Sequence, residues 1–174
     1  MTDTQTVTAG SGELLIRTGV TGKAARTGHR LTIAVTSWQA QVTVDDGHPS
    51  AVTLTVDVDS LDVIAGEGGL TPMGGAEKAL ARKNALKAFD AGKYPQITYV
   101  SSGVERDGDR YTVSGELTVH GVTRSHPLTV TADGDAFRCE SAVIQSEFGI
   151  KPYSQMMGAL KVADEVTVEI SATL

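Results

Sequence analysis

The stretch AVTLTVDVDS, Ala51 to Ser60, decides the fold class because apolar and polar residues alternate strictly from Val52 to Asp59. Valine and leucine occupy positions 52, 54, 56 and 58, and threonine or aspartate occupies the positions between them. Successive side chains of a β-strand point to opposite faces of the sheet. The stretch is therefore predicted to be a strand with one buried and one solvated face.

The same alternation recurs in four other segments, residues 30–36, 112–119, 128–131 and 166–171. Turn-forming sequences separate them, at residues 45–49, 107–109, 120–124 and 132–135. Spacings of about ten residues between turns are typical of antiparallel hairpins in a sandwich or a barrel. The chain is therefore predicted to be all-β, with about eight strands.

One segment has a different character, the sequence AEKALARKNALKAF that follows the glycine-rich residues 66–75. It is rich in alanine, leucine and lysine and contains no glycine or β-branched residue, so a helix is predicted over residues 76–88.

Length and composition predict one folded domain over residues 1–174, with residues 1–12 as a flexible N-terminus. The net charge is −6 and the 15 lysines and arginines are scattered, which makes nucleic acid an unfavourable partner.

The single cysteine, Cys139, cannot form an intrachain disulfide and is predicted to be a small buried residue rather than a nucleophile. The first residues contain neither a basic region nor an apolar run, so a cytoplasmic location without a transmembrane segment is expected, or secretion if a leader was trimmed.

Three motifs in order along the chain resemble one protein family. They are AFDAGKYPQITYVSS at residues 88–102, GELTVHGVTR at residues 115–124, and SEFGI followed by VADEV between residues 146 and 166. Together they are similar to the YceI-like proteins. This resemblance implies an antiparallel, up-and-down, lipocalin-like barrel of about eight strands. It also implies an apolar tunnel that binds polyisoprenoids or other long amphiphilic chains.

In such a barrel, strand parity assigns the histidines to faces. His29 and His126 share the parity of apolar neighbours and should point inward, whereas His120 should face solvent. His120 and His126 would then not converge, so neither a metal site nor a cofactor is predicted. His29 and His126 are either hydrogen-bonded histidines at the barrel mouth or, with Gln145, groups that hold the polar end of a ligand.

The regular alternation stops between Gln145 and Val166. Phe148 and Gly149 are predicted to end a strand there, and Pro152 blocks simple continuation of a ladder. The apolar residues that follow are predicted to form a flap over a tunnel or a packed plug that closes the core. The hypothesised ligand-binding set consists of inward-facing and flap residues: His29, Leu31, Ile33, Val35, Trp38, Leu54, Val56, Phe89, Tyr99, Val113, Leu117, His126, Phe137, Gln145, Phe148, Tyr153, Met156 and Met157.

These patterns favour a non-catalytic protein that encloses an isoprenoid-like or fatty-acid-like molecule. One alternative is an enzyme of unknown chemistry that uses His29, His126 or Lys151 as acid and base, although no nucleophile is predicted to pair with a base. Another is a filled barrel that acts through its surface in a stress response. No catalytic residue is assigned, and a homodimer is possible in either case.

Overall fold

The computed structural model describes residues 1–174, which form fifteen strands, one α-helix and four short 3-10 turns. The strands are β1 (Thr2–Thr8), β2 (Gly12–Arg17), β3 (Val20–Thr21), β4 (His29–Val35), β5 (Trp38–Asp45), β6 (His48–Asp57), β7 (Leu61–Gly68), β8 (Gln96–Asp107), β9 (Arg110–Val119), β10 (Val122–Ser125), β11 (Leu128–Asp133), β12 (Ala136–Ile144), β13 (Ser154–Gln155), β14 (Leu160–Val162) and β15 (Glu165–Thr173). The helix α1 spans Gly75–Phe89, and the 3-10 turns span Ala25–Thr27, Val58–Ser60, Gln145–Phe148 and Met156–Gly158.

Twelve strands form one antiparallel sheet in the order β1-β5-β6-β8-β9-β11-β12-β15-β2-β4-β7, with β10 paired to β9. The sheet is curled, so that its two end strands, β1 and β7, lie close together. Val7 of β1 and Val63 of β7 belong to the same hydrophobic cluster. The predicted all-β, antiparallel architecture with one helix is confirmed. The predicted count of about eight strands is wrong: eleven strands have six or more residues, and four others have two to four, too few to show a period.

The expected flexible N-terminus is also wrong. Residues Thr2–Thr8 pair in register with Gln39–Asp45 of β5, and Val7 is buried. Threonine has a high preference for strands, so this polar segment forms an edge strand although it has a single apolar residue on its buried face.

The helix α1 confirms the prediction over residues 76–88. It lies across β7 and the Val58–Ser60 turn, where the Arg82 guanidinium donates hydrogen bonds to the carbonyls of Leu61 (2.7 Å) and Asp59. Asp90 adopts a left-handed conformation with φ of 50° and ends the helix. These contacts hold the alanine-rich face of α1 over the concave side of the sheet.

The segment that breaks the alternation contributes to a small second layer. Strands β13, β14 and β3 form a three-stranded sheet, and the Ala24 amide donates to the Ala159 carbonyl at 2.8 Å. We call residues 18–28 together with residues 150–163 the lid. The prediction that Phe148 and Gly149 end a strand is wrong, because β12 already ends at Ile144 and Gln145–Phe148 forms a 3-10 turn.

Buried side chains gather in two clusters. The first is formed by Val7, Leu14, Ile33, Val35, Trp38, Ala40, Val56, Val58, Leu61 and Val63, and the second by Tyr99, Val113, Leu117, Val119, Phe148 and Ile150. Leu54, Phe89 and Ile97 are partly buried and pack against both. No helix of the protein is long and apolar enough to cross a lipid bilayer.

Candidate functional site

The interior of the curled sheet is hollow. A cavity of about 680 Å³ lies between the main sheet, α1 and the lid, and 30 of the 42 residues that line it are hydrophobic. Alternation placed valine, leucine and isoleucine on the inner face, and these side chains are too small to meet across the sheet. The alternative of a filled barrel is therefore wrong.

Thirteen of the eighteen residues in the hypothesised ligand-binding set line this cavity: His29, Leu31, Ile33, Val35, Leu54, Val56, Phe89, Tyr99, Leu117, His126, Gln145, Phe148 and Tyr153. They come from four strands (β4, β6, β8 and β9), the connection between β10 and β11, α1, the Gln145–Phe148 turn and the lid. Chain positions more than 120 residues apart are thus brought to one surface.

Five residues of the set lie elsewhere. Trp38 and Val113 are buried in the packed clusters, and the Nε1 donor of Trp38 has no hydrogen-bond partner. Phe137 lies two residues before Cys139 on β12, where its ring packs on Tyr111 with centroids 6.0 Å apart. Met156 and Met157 lie at the exposed tip of the lid. Parity predicts which face of a strand a residue occupies but not where along the strand the cavity ends. Trp38, Val113 and Phe137 were therefore included although they lie beyond the end of the cavity.

The mouth of the cavity is marked by side chains that both line it and remain exposed. Leu70 is 78% exposed, Leu80 57% and Tyr153 38%. His29 stands at this rim, and its Nε2–H donates to the Thr71 carbonyl at 2.8 Å. That hydrogen bond ties β4 to the loop that precedes α1.

A polar cluster interrupts the apolar wall farther inside. His126 Nε2 and Ser141 Oγ are hydrogen-bonded at 2.7 Å, and the Tyr99 hydroxyl donates to the His126 carbonyl at 2.8 Å. Sequence reasoning missed Ser141, although it shares the parity of Cys139 and Val143 on β12. The expectation that no nucleophile pairs with a base is therefore wrong for this histidine.

Burial keeps the polar cluster uncharged. Desolvation lowers the pKa of His126. It also raises the pKa of Tyr99 to about 12, with a smaller contribution from Cys139, and raises the pKa of Cys139 to about 11. Neutral forms are therefore favoured at all three groups. Glu77 and Lys161, the charged lining residues, are exposed. Charge is thus restricted to the mouth.

The Ser141 and His126 pair lacks the other parts of a hydrolytic site. No carboxylate is hydrogen-bonded to His126, so nothing orients the imidazole as a base. Ser141 lies within the regular strand β12, where successive backbone amides point to opposite sides, so neighbouring amides do not converge as an oxyanion hole requires. The cluster can exchange hydrogen bonds with a bound molecule without any of these parts.

His120 does not face solvent, so that assignment is wrong. It is half-buried with φ of 54°, its Nδ1–H donates to the Phe148 carbonyl at 3.2 Å, and its ring lies 4.7 Å from that of Tyr94. Parity fails here because the chain turns between β9 and β10. No group of three or more histidine, cysteine, aspartate or glutamate side chains is arranged to hold a metal ion.

Replacing His126 by glutamine is expected to reduce the decrease in melting temperature that occurs as the pH is lowered. The ordinary histidine pKa is 6.5, and burial lowers it in the folded protein. As the pH falls below that value, the unfolded chain takes up a proton that the folded chain resists, so the native protein loses stability. Melting temperatures between about pH 7 and about pH 5 measure the effect. His48→Gln, outside the cavity, is the control, and equal slopes for His126→Gln and the unmodified protein would contradict the prediction.

The chain is similar in sequence to proteins of one family. A family model described as the YceI-like domain matches residues 5–174. Protein YceI of Escherichia coli O157:H7 is 31% identical over 123 residues, which cover 63% of this chain and 58% of that protein. Protein YceI of Salmonella arizonae is 33% identical over 92 residues, which cover 52% of this chain and 41% of that protein. The chain thus spans less than two thirds of the length of these relatives.

Solved structures show the same fold at lower identity. BcnA of Burkholderia cenocepacia superimposes with a TM-score of 0.70 at 23% identity, covering 95% of this chain and 98% of that one. The YCEI protein of Campylobacter jejuni gives a TM-score of 0.62 at 16% identity and covers 82% of each chain.

Proposed function

Because the chain belongs to the YceI-like family, we propose that it is a non-catalytic binding protein that encloses a long apolar or amphiphilic molecule in its cavity. The observation that carries this proposal is the hollow, largely hydrophobic interior of about 680 Å³. Ligand pockets in proteins typically have volumes of about 300 to 1,000 Å³. The size therefore suits one small molecule.

The energetics of burial support an apolar chain. Apolar area removed from water contributes roughly 25 cal/mol per Å², so a chain that buries ~400 Å² gains about 10 kcal/mol before association and ordering are subtracted. No catalytic group is needed for such binding.

The distribution of charge supports an uncharged ligand body. The polar groups that line the cavity inside the mouth are neutral, and they include those of Tyr99, His126, Cys139, Ser141 and Gln145. A carboxylate moved into this region would lose its hydration without gaining a cation, which costs several kcal/mol. An isoprenoid-like chain with a neutral hydrogen-bonding group satisfies both the apolar wall and the polar cluster.

A titration with matched ligands tests this function. A prenyl alcohol and the prenyl carboxylate of the same chain length are titrated into protein stripped of bound lipid. The alcohol is expected to bind at one site and at least about tenfold more tightly, because the carboxylate must stay hydrated at the mouth. Tighter binding of the carboxylate, lost in Lys161→Gln, would instead indicate an anionic ligand held at the rim, and failure of both to bind would contradict the proposal.

A further inference from the structure

The lid has a charge opposite to that of the chain. It contains Lys23, Arg26, Lys151 and Lys161 and no aspartate or glutamate, whereas the whole protein has a net charge of −6. All four basic side chains are exposed. None of them forms an ion pair within the protein. The lid therefore presents unneutralised positive charge to solvent.

Two methionines project from the same layer. Met156 is 61% exposed and Met157 is fully exposed. Both residues adopt left-handed conformations, with φ of 53° and 56°, in the turn that joins β13 to β14. Such conformations are unfavourable for large side chains and are found where the surrounding structure enforces them. The turn thus holds two apolar side chains in water instead of packing them over the cavity.

The segments that carry the cations and the methionines pack against each other within the lid. Lys23 follows Gly22, whose Cα lies against the backbone of Gly158 and Ala159. Lys161 lies on β14, in register with Ser154 of β13 and Thr21 of β3. Across the mouth, the exposed side chains of Leu70 and Leu80 continue the apolar surface. The basic and apolar groups form one surface beside the opening of the cavity.

We propose that this surface docks the protein on an anionic lipid bilayer. Met156 and Met157 enter the interface between head groups and acyl chains, while the four lid cations lie over anionic head groups. Exposed apolar side chains flanked by lysine and arginine are the combination that binds such interfaces. A bilayer satisfies both parts, since it offers negative charge at its surface and apolar volume directly beneath.

Docking in this orientation brings the mouth of the cavity to the lipid. The acidic residues all lie outside the lid, and Glu77 is the one acidic side chain that lines the cavity at its mouth. Repulsion from the anionic surface therefore favours contact through the lid over contact through the rest of the protein. The attraction is screened by salt, because the Debye length falls from about 30 Å at 0.01 M to about 8 Å at physiological ionic strength. The interaction is therefore reversible and dependent on salt.

Co-sedimentation with vesicles tests the proposal without any ligand, so the result does not depend on the proposed function. The full chain is mixed with vesicles of phosphatidylcholine alone or of phosphatidylcholine with phosphatidylglycerol, at low and at physiological salt. Binding is expected only to the vesicles that contain phosphatidylglycerol and should weaken as salt is added. The double variant Lys23→Glu, Lys151→Glu should bind at least about 30-fold more weakly, because each lysine near an anionic surface strengthens binding about fivefold and each added glutamate is repelled.

Matched variants outside the lid distinguish a specific role of the lid in vesicle binding from a general effect of net charge or exposed apolar surface. Arg106→Glu, Arg110→Glu changes the net charge by the same amount but lies at the β8–β9 hairpin outside the lid, and it should bind at least half as well as the unmodified protein. Met156→Ser, Met157→Ser should weaken binding about tenfold, because the inserted apolar area is lost. Val100→Ser, an exposed apolar residue on the outer face of β8, should leave it unchanged.

Three results would overturn the proposal. They are failure to bind phosphatidylglycerol vesicles at low salt, equal loss of binding in the two charge-reversed variants, and a dimer in light scattering that dissociates on Met156→Ser, Met157→Ser. The last would assign the surface to contact between two copies of this chain.

Discussion

Replacing Phe148 by alanine is expected to lower the free energy of unfolding by about 4 kcal/mol. Phe148 is among the largest fully buried side chains, at 2% exposure, and packs in the cluster with Tyr99, Leu117 and Ile150. It also forms part of the cavity wall, so its removal enlarges a space that the neighbouring strands cannot close. The loss therefore combines the transfer energy of the ring with the cavity that remains.

Equilibrium unfolding in urea, followed by the fluorescence of the single tryptophan Trp38, measures this loss. Phe137→Ala is the matched control, because Phe137 is only half-buried and lies outside the cavity. It should lower the free energy of unfolding by about 1 to 2 kcal/mol. Similar losses for the two variants would show that Phe148 is not an anchor of the cavity wall.

Replacing Ala85 by phenylalanine is expected to weaken binding of a prenyl alcohol about 50-fold. Ala85 is on α1 and lines the cavity, so the added ring occupies space needed by the ligand. If the ring displaces about three methylene groups of the ligand, each contributes about 0.8 kcal/mol to the loss. Because the ring enters an existing space, the fold should tolerate it.

The control is Ala79→Phe on the same helix, where the alanine is exposed and does not line the cavity. Dissociation constants of both variants are measured by titration, and their melting temperatures establish that each is folded. Equal affinities for the two folded variants would place the ligand outside the cavity.

The sequence was sufficient to predict those strands and that helix whose residue pattern repeats over many positions. Alternation over residues 51–60 predicted β6, although that strand ends at Asp57 and Val58–Ser60 forms a 3-10 turn. Alternation over residues 112–119 predicted β9, and the alanine-rich composition predicted α1, because each pattern is repeated over several residue pairs or turns. The short strands of the lid could not be found in this way. They form because β14 pairs with β3, more than 130 residues away, and local sequence contains no signal for such a pairing.

The sequence predicted which side chains of the candidate site point inward, but it did not predict the cavity or the contact between Ser141 and His126. Parity placed His126 and Leu117 on the inner face, where the structure has them lining the cavity. The existence of the cavity depends on the distance between facing strands of the curled sheet, and the sequence of a single strand does not determine that distance. Ser141 could have been found by extending the parity of Cys139 by two residues, but its contact with His126 depends on the registers of three strands.

The most direct test of an enclosed apolar ligand is to purify the protein without detergent, extract it with organic solvent and analyse the extract by mass spectrometry. Enclosure predicts one lipid-like or isoprenoid-like chain per protein molecule. An extract without such a molecule, together with no saturable uptake of prenyl chains by the stripped protein, would contradict it.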